Sequence, residues 1–543
     1  MKPAHPYCVL VASCVLLLAF AAGMAAQEPT TPKRIGIPQD WSDRHIIFSR
    51  DALLAHPEVM TREPRVFHQA LQRFQAPHSD VFPVVPHLPE PAKTSQRDWN
   101  VILGGRLAAN VYPAKYSFDA SQPPSCTNDF VVFPLSTTGV TGGRPNLVGF
   151  NNLYAGTGGM CTTGPSVLFA YNITTVTGGK IVTSPILSLD GTKIAFVEST
   201  GSSAIFHVLT WASGAGTLAA AVAPTKMTSL TFSPTANSTT SSPWIDYGND
   251  VVYVGADNSE IYKITNVFTG TPKLAGAPWP VTVSTNFRLT APVLDLSRNV
   301  LMVGSANGSL YQINITTGAT SAYVIGKSGG TSPGIAATPV VDVTNGTTFA
   351  VSANDGTSGV IVEVDTTSLT SLAKARIGEA AASTTAMNLY EPAFSNDYFN
   401  NPSSGVLRTC GTGANDITPW QYAFPFTGRI MSSSSSFSKQ LLTSTNARCT
   451  GWNEFFNPNI GGAAGTDYFF FGLTEDCTAV TGYAGGCVAE ITNTNTTPVF
   501  VNINGGPSGI VVDNYSTAGQ ASSIYFSAEK VDTVYKLTQN GLQ

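Results

Sequence analysis

The sequence predicts an all-β chain built from about eight copies of one small antiparallel sheet, and three observations lead to this prediction. Short apolar strands are separated by Asn-Gly or Asp-Gly turns, as in Ala291–Gly318, where Val300–Gly304 and Leu310–Ile313 flank Asn307-Gly308. The middle strand of this unit recurs at intervals of about fifty residues, a period typical of propeller blades in an all-strand chain. The residue pattern of the third strand of this unit recurs as well. We therefore expect a single β-propeller of four-stranded blades.

The middle strand has eight versions along the chain. They are Leu147–Phe150, Ile194–Val197, Val251–Gly255, Val300–Gly304, Phe349–Ser352, Val406–Cys410, Tyr468–Gly472 and Ile524–Ser527. The third strand is clearest at Ile261–Ile264, Leu310–Ile313 and Val534–Leu537. Its third position is polar in several copies, for example His207, and we expect that side chain at an exposed margin of the sheet. His207 is therefore interpreted as a strand residue and not as a catalytic one.

The first strand of most units begins with proline, as at Pro243, Pro292 and Pro339, where no ladder hydrogen bond is lost. The last unit stops just after its third strand, whereas Trp99–Leu103 is a strand-like segment that precedes the first unit. Pairing of these two termini would close the ring and remove exposed sheet edges. We predict eight blades closed by this N-terminal strand, with seven blades as the alternative.

The N-terminus predicts export. Lys2 precedes the apolar run Val9–Ala22 and small residues follow, so residues 1–26 are interpreted as a signal peptide. No later stretch is long and apolar enough to span a membrane, so no transmembrane segment is expected in the mature chain. The expected location is secreted, periplasmic or extracellular.

Residues 27–98 differ in composition from the strand-rich residues 99–543. They contain nine basic and nine acidic residues, many prolines and five of the seven histidines. We interpret them as an irregular arm or linker with a short helix within Arg65–Phe74, and the histidines as solvated. Those histidines are His45, His56, His68, His78 and His87.

Six cysteines follow the signal peptide, an even number that favours structural disulfides in an oxidising compartment. Pairing each cysteine with the next one along the chain gives Cys126–Cys161, Cys410–Cys449 and Cys477–Cys487. Six cysteines permit fifteen connectivities. Blades six and seven, about residues 391–500, are the least regular units, and extra loops joined by disulfides would explain this.

Composition excludes nucleic acid as a partner. Only 12% of the residues are charged and the net charge is −5, whereas phosphate binding needs clustered lysine and arginine. No basic patch is visible in the sequence.

The blade text around "PVLD…VLMVGSANGSLYQINITTG" resembles the pyrroloquinoline-quinone-like (quinoprotein alcohol dehydrogenase-like) β-propeller superfamily. The resemblance covers roughly residues 128–540 and implies the scaffold. Quinone-dependent members add adjacent cysteines that form a disulfide, a metal-binding acid cluster and tryptophan-containing blade-docking motifs. This chain has no adjacent cysteines, and its seven tryptophans do not recur at a fixed blade position. No quinone cofactor is expected.

Candidate chemistry is sparse. The Gly-x-Ser-x-Gly match at 330–334 lies in a Gly-rich connection without the strand and helix that a nucleophile elbow needs. Glu391 and Glu454 are the only acidic residues noted as candidates, because they lie in irregular, aromatic-rich segments. Turns such as Asp355-Gly356 would suit calcium, but no complete calcium loop exists. No catalytic residue, cofactor or metal ligand is therefore predicted.

Aromatic residues in the irregular blades form one candidate binding face: Trp420, Tyr422, Trp452, Phe455 and Phe456. The leading hypothesis is a secreted, non-catalytic propeller that binds a protein or glycan at or outside the cell envelope. One alternative is a propeller enzyme (a lyase, glycosidase or oxidoreductase) with acids around the central channel. Another is a structural surface component.

Overall fold

The chain forms an all-β, eight-bladed propeller, as seen in a computed structural model. Residues 36–543 belong to one compact unit. The structure describes residues 36–48, 63–66, 68–69, 96–118, 123–156, 158–233, 239–327, 334–380, 389–457, 465–482, 484–493, 496–513 and 520–538. The interpreted signal peptide and the 330–333 part of the Gly-x-Ser-x-Gly match lie outside these ranges. The alternative of seven blades is wrong.

The segment before the propeller contributes three strands and two helical pieces. They are β1 (Ile37–Gln39), a 3-10 helix (Trp41–Arg44), β2 (Ile46–Ile47), helical residues at 64–66 and 68–69, and β3 (Gln96–Ile102). The helix expected within Arg65–Phe74 is present at 65, 66, 68 and 69, and residues 70–74 lie outside the described ranges.

Blades 1 to 4 follow in chain order. Blade 1 has β4 (Ala114–Ser117), β5 (Phe130–Pro134), β6 (Leu147–Asn151) and β7 (Ser166–Tyr171). Blade 2 has β8 (Lys180–Ile181), β9 (Ile186–Leu187), β10 (Lys193–Ser199), β11 (Ala204–Thr210) and β12 (Met227–Ser233). Blade 3 has β13 (Trp244–Asp246), β14 (Val251–Gly255), β15 (Glu260–Thr265), β16 (Lys273–Leu274) and β17 (Val281–Thr282). Blade 4 has β18 (Val293–Asp295), β19 (Val300–Gly304), β20 (Ser309–Asn314) and β21 (Thr320–Val324).

Blades 5 to 8 complete the ring. Blade 5 has β22 (Val340–Asp342), β23 (Thr347–Ser352), β24 (Ser358–Asp365) and β25 (Ser371–Glu379). Blade 6 has β26 (Ala393–Phe394), α1 (Asn396–Asn400), a 3-10 helix (Pro402–Ser404), β27 (Val406–Thr412), β28 (Pro419–Thr427), β29 (Ile430–Met431) and β30 (Phe437–Gln440). Blade 7 has β31 (Asn453–Asn457), β32 (Thr466–Leu473), α2 (Thr478–Thr481), β33 (Gly486–Thr492) and β34 (Val499–Ile503). Blade 8 has β35 (Val511–Asp513), β36 (Ser523–Ser527) and β37 (Thr533–Thr538).

The ring is closed by the N-terminal strand, as the sequence predicted. β3 pairs antiparallel with β37, with Asn100 opposite Tyr535 and Val101 opposite Val534, and so supplies the outermost strand of blade 8. On the inner side, β4 of blade 1 contacts both β9 of blade 2 and β35 of blade 8. Closure leaves blade 8 with four strands and a covered edge.

One sequence assignment within blade 1 was wrong. Leu147–Phe150 belongs to the third strand of that blade and not to the second, because Phe130–Pro134 pairs between β4 and β6. The apolar segment Phe130–Pro134, which precedes residues 139–146, has no counterpart among the repeated strands that predicted the blades.

The aspartates that end several innermost strands explain why the next strand turns back there. Asp295 Oδ1 accepts from the backbone N–H groups of Ser297 and Arg298, at 3.0 and 3.1 Å. Asp342 Oδ1 accepts from the N–H of Asn345 at 2.8 Å. Aspartate stabilises such turns because its short side chain replaces a backbone acceptor. The repeated aspartate is thus a structural residue.

The polar third position of the third strand is more buried than expected. His207, Glu363 and Lys536 are each fully buried, so the expectation of an exposed margin is wrong for these copies. His207 Nε2 lies 2.9 Å from Glu198 Oε2, and Lys536 Nζ lies 2.6 Å from Asp98 Oδ2. The side chains are buried because each has a partner, which a single-strand pattern does not reveal.

Three disulfides join sequence neighbours: Cys126–Cys161 in blade 1, Cys410–Cys449 between blade 6 and the start of blade 7, and Cys477–Cys487 within blade 7. Two of the three lie in the irregular blades, where they fix long connections.

The buried carboxyl of Glu363 predicts a pH-dependent stability. Burial raises its pKa from 4.5 to about 7, although the backbone N–H of Met431 donates to Glu363 Oε2 at 2.7 Å and opposes the shift. The folded protein therefore holds this proton more tightly than the unfolded chain does, and stability falls as the pH rises from about 4.5 to about 7. We expect Glu363→Gln to remain as stable as the parent near pH 4 and to exceed it by about 1–3 kcal/mol at pH 8. Urea unfolding at the two pH values measures this.

The control is Glu379→Gln, which removes a carboxylate from the same sheet at an exposed position. Equal parent and Glu363→Gln stabilities at pH 8 would contradict the prediction.

Candidate binding site at the channel mouth

The segment before the propeller fills the central channel. β1 pairs with β4, the innermost strand of blade 1, and β2 runs parallel to β22, the innermost strand of blade 5. Gln39 Nε2 donates to the carbonyl of Val512 in blade 8 at 3.1 Å. One short stretch therefore contacts the innermost strands of blades on opposite sides of the ring. We call residues 36–48, 63–66 and 68–69 the plug.

Arg65 anchors the plug to blade 3. Its guanidinium lies 4.0 Å from the ring centroid of Trp244 and donates to the carbonyl of Ile245 at 2.9 Å. It also donates to both carboxylate oxygens of Glu63, at 2.9 and 2.8 Å, and to the hydroxyl of Ser42 at 2.6 Å. Arg65 is 1% exposed. A buried guanidinium is stable here because its donors are distributed over a carboxylate, a hydroxyl and a carbonyl.

Glu391 joins the plug to blades 1 and 6. It is fully buried, accepts a hydrogen bond from the Tyr112 hydroxyl, and lies 3.8 Å from Arg44 Nε. Arg44 Nη1 also donates to the Tyr112 hydroxyl at 3.0 Å. Burial opposes ionisation of Glu391, but Arg44, His45 and Tyr112 together hold its pKa below its usual value. The buried carboxylate thus serves as the counter-ion of the plug.

A cavity of about 340 Å³ opens at the end of the channel where the innermost strands begin. Its lining comes from the plug and from the residues that precede the first strands of blades 1 to 6, and we call it the mouth cavity. The polar and aromatic lining residues are Trp41, His45, Asn110, Tyr112, Lys180, Ser184, Thr240, Ser242, Arg288, Thr290, Thr338 and Tyr390.

Hydroxyl groups hold the wall of the mouth cavity together. The backbone N–H of Tyr112 donates to Ser184 Oγ at 2.9 Å, and the N–H of Ser184 donates to Ser242 Oγ at 2.9 Å. These bonds link the starts of blades 1, 2 and 3. The wall is therefore fixed before any ligand binds, which lowers the entropic cost of binding.

His45 and Trp41 of the plug are among the residues that line the mouth cavity. His45 Nδ1 lies 2.7 Å from the Trp41 carbonyl, and the two rings meet edge to face with centroids 5.2 Å apart. Because a carbonyl only accepts, Nδ1 carries the proton. Burial lowers the pKa of His45 to about 4, although Glu391 opposes the shift.

A second cavity, of about 80 Å³, lies between the plug and blades 6 to 8. Asp43, Arg44 and His68 of the plug line it, together with Trp452 and Glu454. It is too small for a sugar or a peptide side chain of ordinary size, so the mouth cavity is the better candidate.

The expectation that the arm histidines are solvated is wrong for His45 and His68, which are 1% and 3% exposed. His68 Nε2 bonds Gln39, and His68 Nδ1 lies 3.4 Å from Asp43 Oδ2. His56, His78 and His87 lie outside the described residues. The plug was not predicted from the sequence, because its polar residues are buried against one another. They show no regular spacing of apolar residues that would indicate a buried segment.

Three of the five candidate aromatic residues are buried. Trp452 is 1% exposed and stacks on Phe471 with centroids 4.0 Å apart, while Phe455 is 3% and Tyr422 8% exposed. Only Trp420 and Phe456 are half-buried. Tyr422, Trp452 and Phe455 each belong to a hydrophobic core cluster, so these rings contribute to packing.

The two acids singled out by the sequence both lie near the channel. Glu391 is the buried counter-ion described above, and Glu454 lines the smaller cavity. Within the described ranges, no group of three or more His, Cys, Asp and Glu side chains is placed to hold a metal ion. The suggested calcium turn has Asp355 Oδ2 paired with Lys374 Nζ at 2.6 Å. No helix in the described part of the chain has the length and apolar character to cross a membrane.

Comparison with known proteins finds several solved structures at low similarity. No protein-family model and no curated protein sequence matches the chain. BamB from Moraxella catarrhalis is similar at 14% identity and a TM-score of 0.44, covering 82% of this chain and 98% of that one. The Dos1 propeller is similar at 11% identity and a TM-score of 0.48, covering 82% and 95%. Sqt1 from Chaetomium thermophilum, bound to the N-terminus of ribosomal protein L10, is similar at 13% identity and a TM-score of 0.45, covering 79% and 93%. At these values the likenesses carry no argument about function.

Proposed function

We propose that this protein is an exported, non-catalytic binding propeller whose ligand, a protein or glycan at or outside the cell envelope, engages the mouth cavity. The single observation that carries the proposal is the plug. It fills the channel and leaves the mouth cavity as a preformed site of about 340 Å³ with polar and apolar lining residues, within the usual range of ligand pockets, roughly 300–1,000 Å³.

The state of the channel acids supports binding over catalysis. Glu63 pairs with Arg65, and Glu391 pairs with Arg44 and the Tyr112 hydroxyl. General acid–base catalysis needs a carboxyl group within reach of the substrate, whereas Glu63 and Glu391 are buried. Carboxylates held by internal arginines are better suited to fixing the plug.

Export is supported by the apolar run Val9–Ala22 and by the three disulfides, which persist in oxidising compartments. We further propose that residues 1–26 are removed and that residues 27–98 form an arm whose central segments become the plug. Membership in the pyrroloquinoline-quinone-like superfamily is proposed from the amino-acid sequence of the blades alone.

A cavity-filling substitution tests the proposed site. The purified protein is screened on a glycan array and in pull-downs of envelope and extracellular proteins. We expect at least one ligand that binds the parent and fails to bind Ala336→Trp, because Ala336 lines the mouth cavity and is half-buried. The matched control is Ala319→Trp, at an exposed turn before β21.

Two results would contradict the proposal. One is the absence of any ligand for the parent, and the other is a ligand that binds Ala336→Trp as tightly as the parent. Release of a cleaved product from an array glycan would indicate the enzyme alternative instead.

A further inference from the structure

A buried ion pair joins the innermost strands of the first and last blades. Lys115 on β4 and Asp513 on β35 are 0% and 1% exposed, and Lys115 Nζ lies 2.8 Å from Asp513 Oδ2. The two strands contact each other where blade 1 meets blade 8. An amine and a carboxyl group are therefore held together, away from water, at the junction of the ring.

The contact between the two groups is close but is not aligned as a hydrogen bond. Among the described residues, Asp513 Oδ2 has no hydrogen-bond partner of normal geometry, although Lys115 Nζ lies 2.8 Å away. Lys115 Nζ donates instead to the hydroxyl of Ser117. A buried carboxylate oxygen without an aligned donor is costly, and the nearest group to it is the lysine amine.

The other buried lysine–aspartate pair of blade 8 is arranged differently. Asp98 Oδ2 accepts hydrogen bonds from both Lys536 Nζ and the Thr538 hydroxyl. Lys536 Nζ also donates to Gln520 Oε1 at 3.3 Å. These bonds stabilise the charged forms of that pair, so it is suited to remain ionic.

The plug covers the Lys115–Asp513 pair on its channel side. Gln39 on β1 stands opposite Lys115, and Gln39 Nε2 donates at 3.1 Å to the carbonyl of Val512, the residue before Asp513. Lys115 Nζ also lies 5.6 Å from the centroid of the Tyr154 ring. Because water is a product when an amine and a carboxylic acid condense, a site that excludes water favours the condensed form.

The surroundings also favour the uncharged form of the pair. Burial raises the pKa of the Asp513 carboxyl, although the charge of Lys115 opposes the shift. The carboxylate of Asp129, which is 2% exposed, raises that pKa further. Two buried charges are costly, and proton transfer from the ammonium to the carboxylate removes both. A neutral amine in contact with a carboxylic acid is the pair of reactants that amide formation requires.

We propose that Lys115 and Asp513 condense to an isopeptide bond that closes the ring covalently between blades 1 and 8. Lys115 Nζ attacks Asp513 Cγ and forms the new carbon–nitrogen bond. The bond from Cγ to one carboxyl oxygen breaks, and that oxygen leaves as water with the two protons that the ammonium loses. One positive and one negative charge become a neutral amide and water, so no external reagent is needed. The inference is independent of the proposed ligand and of the mouth cavity.

The bond has a consequence for the unfolded chain. It joins two residues about 400 positions apart, so the denatured protein remains a closed loop and not a linear chain. A closed loop has less conformational entropy than a linear chain, and unfolding of the propeller is correspondingly less favourable.

Mass spectrometry of the denatured protein, with its disulfides reduced, tests the proposal. We expect the full chain to be lighter by about 18 Da, one water, than the linear sequence with the same N-terminus. Peptide mapping should recover one branched peptide that contains both Lys115 and Asp513. In a denaturing gel, the closed loop should migrate at a different position from a linear chain of the same length.

Lys115→Met removes the amine and keeps a side chain of similar length. We expect this variant to have the mass of the linear sequence, to give no branched peptide and to migrate as a linear chain. The matched control is Lys374→Met, because Lys374 Nζ lies 2.6 Å from Asp355 Oδ2 in an exposed pair. The control should keep the branched peptide. The mass of the parent protein decides the matter even if Lys115→Met does not fold.

Two results would overturn the isopeptide bond. One is a parent protein with the mass of the linear sequence. The other is a lost water that maps to an Asp-Gly sequence such as Asp190-Gly191, where the product is a cyclic imide and not a crosslink. Both results leave the ligand test of the mouth cavity untouched, so failure of this inference is distinguishable from failure of the proposed function.

Discussion

Arg65→Met is expected to release the plug from the channel and to lower the free energy of unfolding by about 3–5 kcal/mol. The substitution leaves the buried Glu63 carboxylate without its partner, and removes the donors to Ser42 and to the Ile245 carbonyl. Contact with the face of Trp244 is lost as well. Urea unfolding measures the loss of stability, and limited proteolysis within residues 36–69 measures release of the plug.

Two variants control for this effect. Arg65→Met combined with Glu63→Gln should recover part of the stability, because no unpaired charge is then buried. Arg376→Met breaks the exposed pair with Glu379 and should cost at most about 1 kcal/mol. A loss below 1 kcal/mol for Arg65→Met alone, with unchanged proteolysis, would contradict the anchoring role.

Asp98→Ala is expected to open the ring at blade 8, with a loss of about 3–5 kcal/mol. Asp98 Oδ2 lies 2.6 Å from Lys536 Nζ, and the two side chains are 3% and 0% exposed. Asp98 stands on β3 and Lys536 on β37, so this buried pair joins the two ends of the chain. Without Asp98, the buried Lys536 ammonium loses its contacting carboxylate and keeps only the neutral acceptors Gln520 Oε1 and Thr538 Oγ1, at 3.3 and 3.1 Å. The bond that ties β3 to β37 is then lost, and we expect the β37 edge to become uncovered.

The double variant Asp98→Ala with Lys536→Met should recover most of the loss in urea unfolding. Glu475→Ala is the matched control, since its partner Lys530 is 46% exposed, and it should cost at most about 1 kcal/mol. Equal stabilities of Asp98→Ala and Glu475→Ala would show that the terminal strand does not hold the ring closed.

The sequence predicted the parts of the fold that rest on local repetition. These local signals are the apolar residue pattern of β19 and β20, the turns, and the terminal strand at Val101. The structure confirms eight blades, with that strand paired to β37. The blade 1 assignment failed where the repeat was weakest, at Phe130–Pro134. Repetition therefore predicts architecture more reliably than it predicts the register of a divergent unit.

The candidate site was harder to predict, because it is assembled from residues far apart in sequence. Glu391 was noticed for its aromatic surroundings, yet its partners Arg44 and Tyr112 lie about 280 to 350 residues earlier in the chain, and nothing local links them. His45 was interpreted as solvated because an isolated polar segment with many prolines is typical of a linker. Its burial depends on a ring of blades that only the folded chain supplies.

Hydrogen–deuterium exchange of the plug tests the central claim most directly. If residues 36–48 occupy the channel, their amides should exchange as slowly as those of the innermost strands β4 and β22 with which β1 and β2 pair. Arg65→Met should selectively speed exchange in that segment. Exchange of 36–48 in the parent protein at the rate of an unstructured peptide would contradict the plug, and with it the part of the mouth cavity that Trp41 and His45 line.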